Sequence, residues 1–369
     1  MGATGSVAER LAVAPEVADA IRAGRAVVAL ESTLISHGLP WPRNLEVALA
    51  AETAVRSRGA IPATVAIHGG RLLVGVDGTG LEALATARPG SVAKASRPTL
   101  AAALASGTWA ATTVSATMIA ARAAGIDVFA TGGIGGVHRG AVGGSFDISS
   151  DLDELARTAM VVVCAGPKSI LDVPATIEYL ETRGVPVVAL GQAEVAGFFA
   201  RTSGVPAPAT VGNPEAAASL ARTHLDLGLG TSLLVCVPVP ERDALSPEQA
   251  YDAIERAVAE ASDAQISGGA LTPWLLARIA ELTDGASVRA NVSMIVNNAA
   301  TAARIAASLR ARKSPFRCLA GHRTARYTPA APAKATVNPG GPCGSTRAVH
   351  ARTSRRSSAR SGRFSISAE

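Results

Sequence analysis

The chain has 369 residues, 48% of them apolar, enough to bury the core of one large domain or two smaller ones, and this composition excludes a wholly disordered protein. Its formal net charge of +6 is unevenly spread: residues 1–310 carry 23 basic and 28 acidic side chains, whereas residues 311–369 carry 12 basic and one acidic. The body is mildly acidic, which argues against a nucleic-acid-binding domain, and only the tail is basic.

In chain order, AVVALES at 26–32 reads as a strand and NLEVALAAETAVRSRG at 44–59 as a helix. ATVAIHGGRLLVG at 63–75 is strand-like, with IHGG marking a hairpin turn. TLAAALASG at 99–107 and SATMIAARAAG at 115–125 are helical and end at glycine. DVFATGG at 127–133, MVVVCAG at 160–166, VPVVALG at 185–191 and SLLVCVPV at 232–239 are short apolar strands, with helices at 169–184 and 213–228 between them. From 247 to 309 the pattern turns helical, with short connectors. This alternation predicts an α/β layered fold: an α/β/α arrangement around a central mixed sheet, with a helical C-terminal closing region. Residues 1–310 are expected to form the folded domain. Residues 311–369, rich in Pro, Ser and Arg without period, read as a disordered basic tail.

Four cysteines, Cys164, Cys236, Cys318 and Cys343, show no CxxC spacing, which argues against a structural zinc site or a disulfide framework. With no signal segment at the amino terminus and no apolar run of membrane-spanning length, a cytoplasmic location is expected, with no membrane partner.

Only two lysines, Lys94 and Lys168, occur in the first 310 residues, against 21 arginines. An amine can lose its proton and attack carbon, which a guanidinium cannot do, so these two stand out as chemical choices or as remnants of composition. Lys168 follows the strand MVVVCAG, and Glu31 ends AVVAL, where a carboxyl is an acid–base group or a loop charge. The stretch ATGGIGGVHRGAVGGSFDISSDLDEL has neither dinucleotide-binding nor phosphate-loop spacing. Its small residues and the run Ser149-Ser150-Asp151 suit an anion-binding turn or a structural loop. Asp147 offers a hard oxygen ligand to a divalent cation, with His138 upstream. Asp151 reads as a pocket residue or as the cap of the following helix.

These segments resemble the pseudouridine-5'-phosphate glycosidase family, which is related to the indigoidine synthase A proteins. The resemblance runs through VALESTLISHGLPWPRN, VAKASRPTL, TTVSATMIAARAAGI, FATGGIGGVHRGAVGGSFDISSDL, VVVCAGPKSILDVPATIEYLETRGVP and GGALTPWLLARIAELT with NVSMIVNNAA, about residues 7–309. It implies reversible cleavage of the C–C glycosidic bond of pseudouridine 5'-phosphate to uracil and ribose 5-phosphate, through a lysine–ribose imine. On it, Lys168 is the nucleophile and Glu31 the proton donor. Lys94, Val114, His138, Ser149, Ser150, Asp151 and Asn291 are substrate contacts, and Asp147 holds a divalent ion, usually Mn2+. A homotrimer acting in pseudouridine catabolism, with no nucleic acid required, is implied as well. Gly143-Gly144 departs from the bulkier polar stretch expected there, and the tail lies outside the resemblance. A lysine-dependent sugar-phosphate lyase with another leaving group and a noncatalytic sugar-phosphate sensor are the alternatives, distinguished by uracil release and by a reducible lysine adduct. RNA binding would rest on residues 311–369 alone.

Overall fold

The computed structural model describes residues 6–311 except 142, 143, 145 and 267–270, so Gly143 and the basic tail lie outside the described residues. The strands are β1 (Leu11–Val13), β2 (Val27–Leu30), β3 (Ile61–His68), β4 (Arg71–Val74), β5 (Ala93–Ala95), β6 (Ala110–Thr112), β7 (Val128–Ala130), β8 (Val161–Cys164), β9 (Val187–Leu190), β10 (Ala209–Val211) and β11 (Leu233–Cys236). The first seven helices are α1 (Pro15–Arg22), α2 (Thr33–Ser36), α3 (Arg43–Arg56), α4 (Gly78–Ala85), α5 (Leu100–Ser106), α6 (Val114–Ala123) and α7 (Ser150–Leu155). They are followed by α8 (Val173–Thr182), α9 (Pro214–Asp226), α10 (Pro247–Asp263), α11 (Leu271–Leu282) and α12 (Ala286–Ala311).

One sheet runs β1-β4-β3-β2-β7-β8-β11-β9-β10, with β6 paired to β3 and β5 to β6. Pairing is parallel from β3 through β10, and antiparallel where β3 meets β4 and β6, so the sheet is mixed as expected. Strands β2, β7, β8 and β11 are buried along their whole length, because helices cover both faces, and this is why they read as unbroken apolar runs. Val27 and Ala29 pack with α1 and α6 on one face. Val28 and Leu30 pack with α3, α9 and α12 on the other, the alternation that a pleated strand imposes. The hairpin expected at IHGG forms between β3 and β4, with Gly69 and Gly70 at φ 58° and 72°, the left-handed pair that a two-residue hairpin turn requires.

The closing region is α10 to α12. Helix α12 lies across β2, β7 and β8 and against α3 and α9. Its buried residues Ala290, Met294, Asn298, Ala302 and Ala306 recur at a helical period, and the alanines among them let the helix approach the sheet closely. Arg278 of α11 pairs with Glu260 of α10, holding that carboxyl at about 2. Cys164 and Cys236 are buried free thiols in register on adjacent strands. Among the described residues, no helix is long and apolar enough to cross a membrane.

Helix α8 begins at Val173, not at residue 169, because the Asp172 carboxylate accepts the Ala175 N–H and starts the helix there. This leaves 169–171 in the loop that follows Lys168. Strands β1, β5, β6 and β10 were not expected: three residues such as AKA or AAT carry no readable period.

Glu52 of α3 is turned to the sheet and accepts the Thr64 hydroxyl at 2.6 Å; burial raises its pKa above 4.5, against the lowering effect of that hydrogen bond. A carboxyl with a raised folded-state pKa favours folding below 4.5, and this contribution is lost as pH rises through the folded-state value. Glu52→Gln keeps an acceptor for Thr64 and is expected to raise the melting temperature near neutral pH. It should give no gain below pH 4.5 when melting is followed across pH.

Candidate active site

Because β2, β7 and β8 are adjacent and parallel, their carboxyl ends open on the same side of the sheet. Glu31 leaves β2, the glycine-rich loop beginning at Thr131 leaves β7, and Lys168 follows β8. Lys94 arrives on β5, Asn291 on α12, and Ser149-Ser150-Asp151 at the start of α7. A cavity of about 620 Å³ lies between them, lined by Glu31, Lys94, Val114, His138, Asp147, Ser149, Ser150, Asp151, Lys168 and Asn291. All ten residues singled out from the sequence therefore meet in one crevice, of a size suited to a small ligand.

Each Glu31 carboxylate oxygen accepts a threonine hydroxyl, Oε1 from Thr131 and Oε2 from Thr33. Beside it, Ser32 is buried and accepts the Thr112 N–H at 2.9 Å, tying the β2 exit to β6. The loop after β8 is stitched to the loop after β7: the Ile134 N–H donates to the Gly166 carbonyl at 3.2 Å and the Lys168 N–H to the Ile134 carbonyl at 3.1 Å. Gly166 has φ 82°, and a side chain there would strike the Ala196 carbonyl, so only glycine makes this approach to Lys168.

Burial, and after it the charge of Lys168, pushes the Lys94 ammonium below its ordinary 10.5; Asp151 and Glu31 act the other way. Burial and then Lys94 push the His37 imidazole below 6.5. Lys94, Lys168 and His37 line the same cavity as Glu31, Asp147 and Asp151, and the two lysines give it the cationic groups that an anionic ligand would meet.

Asp151 resolves differently from a cap of its own helix. Ser149 is the N-cap of α7, accepting the Asp151 N–H at 3.2 Å. The buried Asp151 carboxylate instead accepts the N–H groups of Ser115 in α6 and Gly135 in the glycine loop, both at 3.0 Å. It thereby joins three chain segments at the cavity wall. A Cβ at Gly135 would collide with the Ser149 side chain, which explains glycine at that point.

Asp147 is half-exposed, with its Oδ2 3.8 Å from His138 Nδ1. Among the described residues no group of three or more His, Cys, Asp and Glu gathers as a ligand cage. A single hard carboxylate at an open cavity wall fits an ion that keeps most positions for water, such as Mg2+ or Mn2+, and does not fit a closed zinc site.

The sequence reading passed over Thr33, Thr131, Phe198, Thr272 and Leu276, of which Thr33, Phe198, Thr272 and Leu276 line the cavity. Thr33 lies two residues from Glu31 and was within reach of inspection. Phe198 was not: its ring occupies the space where a Gly133 side chain would stand, and its backbone is held at φ 63°, both properties of the folded chain.

The family model of the indigoidine synthase A-like proteins matches residues 16–308. The pseudouridine-5'-phosphate glycosidase of Paracoccus denitrificans is 51% identical over 299 residues, covering 81% of this chain and 98% of that protein. Pseudouridine-5'-phosphate glycosidase 2 of Rhizobium johnstonii is 53% identical over 291 residues, covering 79% and 93%. Among solved structures, the prealnumycin C-glycosynthase AlnA in complex with ribulose 5-phosphate superposes with a TM-score of 0.75 at 38% identity, covering 82% of this chain and 97% of that one. An indigoidine synthase A-like protein of Thermotoga maritima gives a TM-score of 0.71 at 34% identity, covering 78% and 94%. The matched span contains every residue of the crevice named above, and the chain belongs to the pseudouridine-5'-phosphate glycosidase family of indigoidine synthase A-like proteins.

Proposed function

We propose that this protein is a pseudouridine-5'-phosphate glycosidase, cleaving the C–C bond between ribose C1' and uracil C5 and, in reverse, forming it. The observation that carries this reading is one crevice holding the only two lysines of residues 1–310 together with a glutamate under two hydroxyl donors, in a chain about half identical to glycosidases of that name. Residues 1–310 form the catalytic domain, working in the cytoplasm in pseudouridine catabolism, and residues 311–369 lie beyond the span that the family model matches. Its subunits assemble as a homotrimer.

A carbon-linked base offers no heteroatom to protonate at the scissile bond, so the sugar must change first. Glu31 protonates the ring oxygen O4' as the C1'–O4' bond breaks, and the neutral Lys168 amine adds at C1'. A proton delivered to uracil C5 then lets the C1'–C5 bond break, its electrons leaving with uracil while the amine nitrogen forms an iminium to C1'. Water hydrolyses the iminium, releasing ribose 5-phosphate and regenerating Lys168. Lys94 with Ser149 and Ser150 binds the phosphate, and Val114, His138, Asp151 and Asn291 shape the remaining walls. With both ends held, the attack is intramolecular in effect. Asp147 would hold the divalent ion, Mn2+ or a similar hard cation, which when bound organises water and substrate oxygens.

Borohydride added with pseudouridine 5'-phosphate is expected to fix a ribose-phosphate adduct on the wild-type protein and not on Lys168→Ala, with uracil release lost in the variant. Uracil release with no trappable adduct would overturn the imine route, and an adduct with no uracil release would favour a lyase of another specificity. Because the charged form of Lys94 holds phosphate and its pKa is lowered, ribose 5-phosphate affinity is expected to weaken as pH rises, before the ordinary lysine value of 10.5 is reached. Lys168→Ala removes one of the two lowering causes, so calorimetry across pH should show that decline move upward. Chelation is expected to reduce turnover and added Mn2+ to restore it, with Asp147→Asn requiring more Mn2+ for half-maximal rate.

A further inference from the structure

We infer that Asn298 of α12 is a positioning residue for Glu31, acting through the Thr131–Gly132 segment at the exit of β7; this rests on the proton-donor role proposed for Glu31. Asn298 is fully buried, and its amide Nδ2 donates to the carbonyls of Thr131 at 2.9 Å and Gly132 at 3.2 Å. The same two residues are held from the sheet side: the Thr131 N–H donates to the Val163 carbonyl at 3.0 Å, and the Ala165 N–H to the Gly132 carbonyl at 2.8 Å. With its backbone fixed on both sides, Thr131 turns its hydroxyl to Glu31 Oε1. The other hydroxyl on Glu31, from Thr33, belongs to the same turn as the glutamate and moves with it. Thr131 is the contact that sets the carboxylate relative to a neighbouring strand.

The amide has a cost that core packing alone does not explain. Asn298 Oδ1 is buried with no hydrogen-bond partner, a penalty that alanines beside it on the same helix, Ala299 and Ala302, do not incur. What the amide accomplishes is to tie the two carbonyls where the β7 ladder ends to α12. The helix supplying it also supplies Asn291 and Ile295 to the cavity wall, two turns and one turn earlier respectively, and both approach Gly132. One helix face therefore shapes the crevice and aligns its acid.

The test uses the full chain, with kcat and KM for uracil release from pseudouridine 5'-phosphate and calorimetric affinity for ribose 5-phosphate. Asn298→Ala and Thr131→Val are each expected to lower kcat by roughly tenfold or more while KM and ribose 5-phosphate affinity stay within about threefold. The double variant should be no slower than the slower single, because both changes break one link. Thr131→Ser, which keeps the hydroxyl, should recover most of kcat. Multiplicative losses in the double variant, wild-type kcat in either single, or a KM that rises as kcat falls would overturn the inference. If Asn298→Ala does not fold, Asn298→Ser takes its place, with a smaller fall in kcat expected and an unchanged kcat overturning the inference. Glu31→Gln with wild-type activity would sink the acid's role and this inference together, whereas an inactive Glu31→Gln beside a fully active Asn298→Ala sinks the inference alone.

Discussion

The parallel hydrogen bonding of β2, β7 and β8 is the constraint on which the site depends. Leu30 pairs with Ala130 and Ala130 with Val163, so the three strands finish within one residue of each other and release their chains on one side of the sheet. Adjacent strands lie ~4.8 Å apart, which sets the exits of β2 and β8 about 10 Å apart across β7. Two side chains span that gap toward a shared ligand, and the loop between them, after β7, can touch both. Burial of the strands on both faces makes this register rigid, since a slip by one residue would turn every side chain to the opposite layer.

Small residues transmit that order to the loops. Glycines at 132, 133, 135 and 136 lie against Ile295, Phe198, Ser149 and Thr176 respectively, so the loop after β7 is packed from four directions. Asp151 then commits both carboxylate oxygens to backbone N–H groups and fastens this loop to the start of α6. The anchoring places a charged side chain in the wall without leaving it free to swing. Lys94 and Lys168 face that wall, where their mutual repulsion and burial oppose the ammonium form of Lys94 and a bound anion would relieve it.

Helix α12 completes the arrangement from outside the sheet. Its alanines bring it close enough for Asn298 to reach the ends of β7, and its earlier turns supply Asn291 and Ile295 to the cavity. The closing region is thus part of the site rather than a cover over it, consistent with a family match that extends from residue 16 to 308.

Much of this was legible in the primary structure because it depends on local chemistry. Buried parallel strands must be apolar throughout, and VVAL, VVVC and LLVC announced themselves as such; the scarcity of lysine isolated Lys94 and Lys168; the glycine run marked a loop of close approach. Four three-residue strands escaped, being too short for a period, and so did the partners of Glu31. Thr131 stands 100 residues from Glu31 and Asn298 a further 167 from Thr131, and no spacing rule joins them. Asp151 could be read as the cap of its own helix until Ser149 took that place and Gly135 and Ser115 came within 3.0 Å. The amino-acid sequence by itself determined which polar groups stand at the ends of the long apolar strands and which of its longer segments become strands, because composition and period are local properties of the chain. Only the tertiary structure decided which hydroxyl, amide and backbone donor meets each of those groups, because strand pairing and helix packing bring together residues whose separation along the chain holds no trace of their contact.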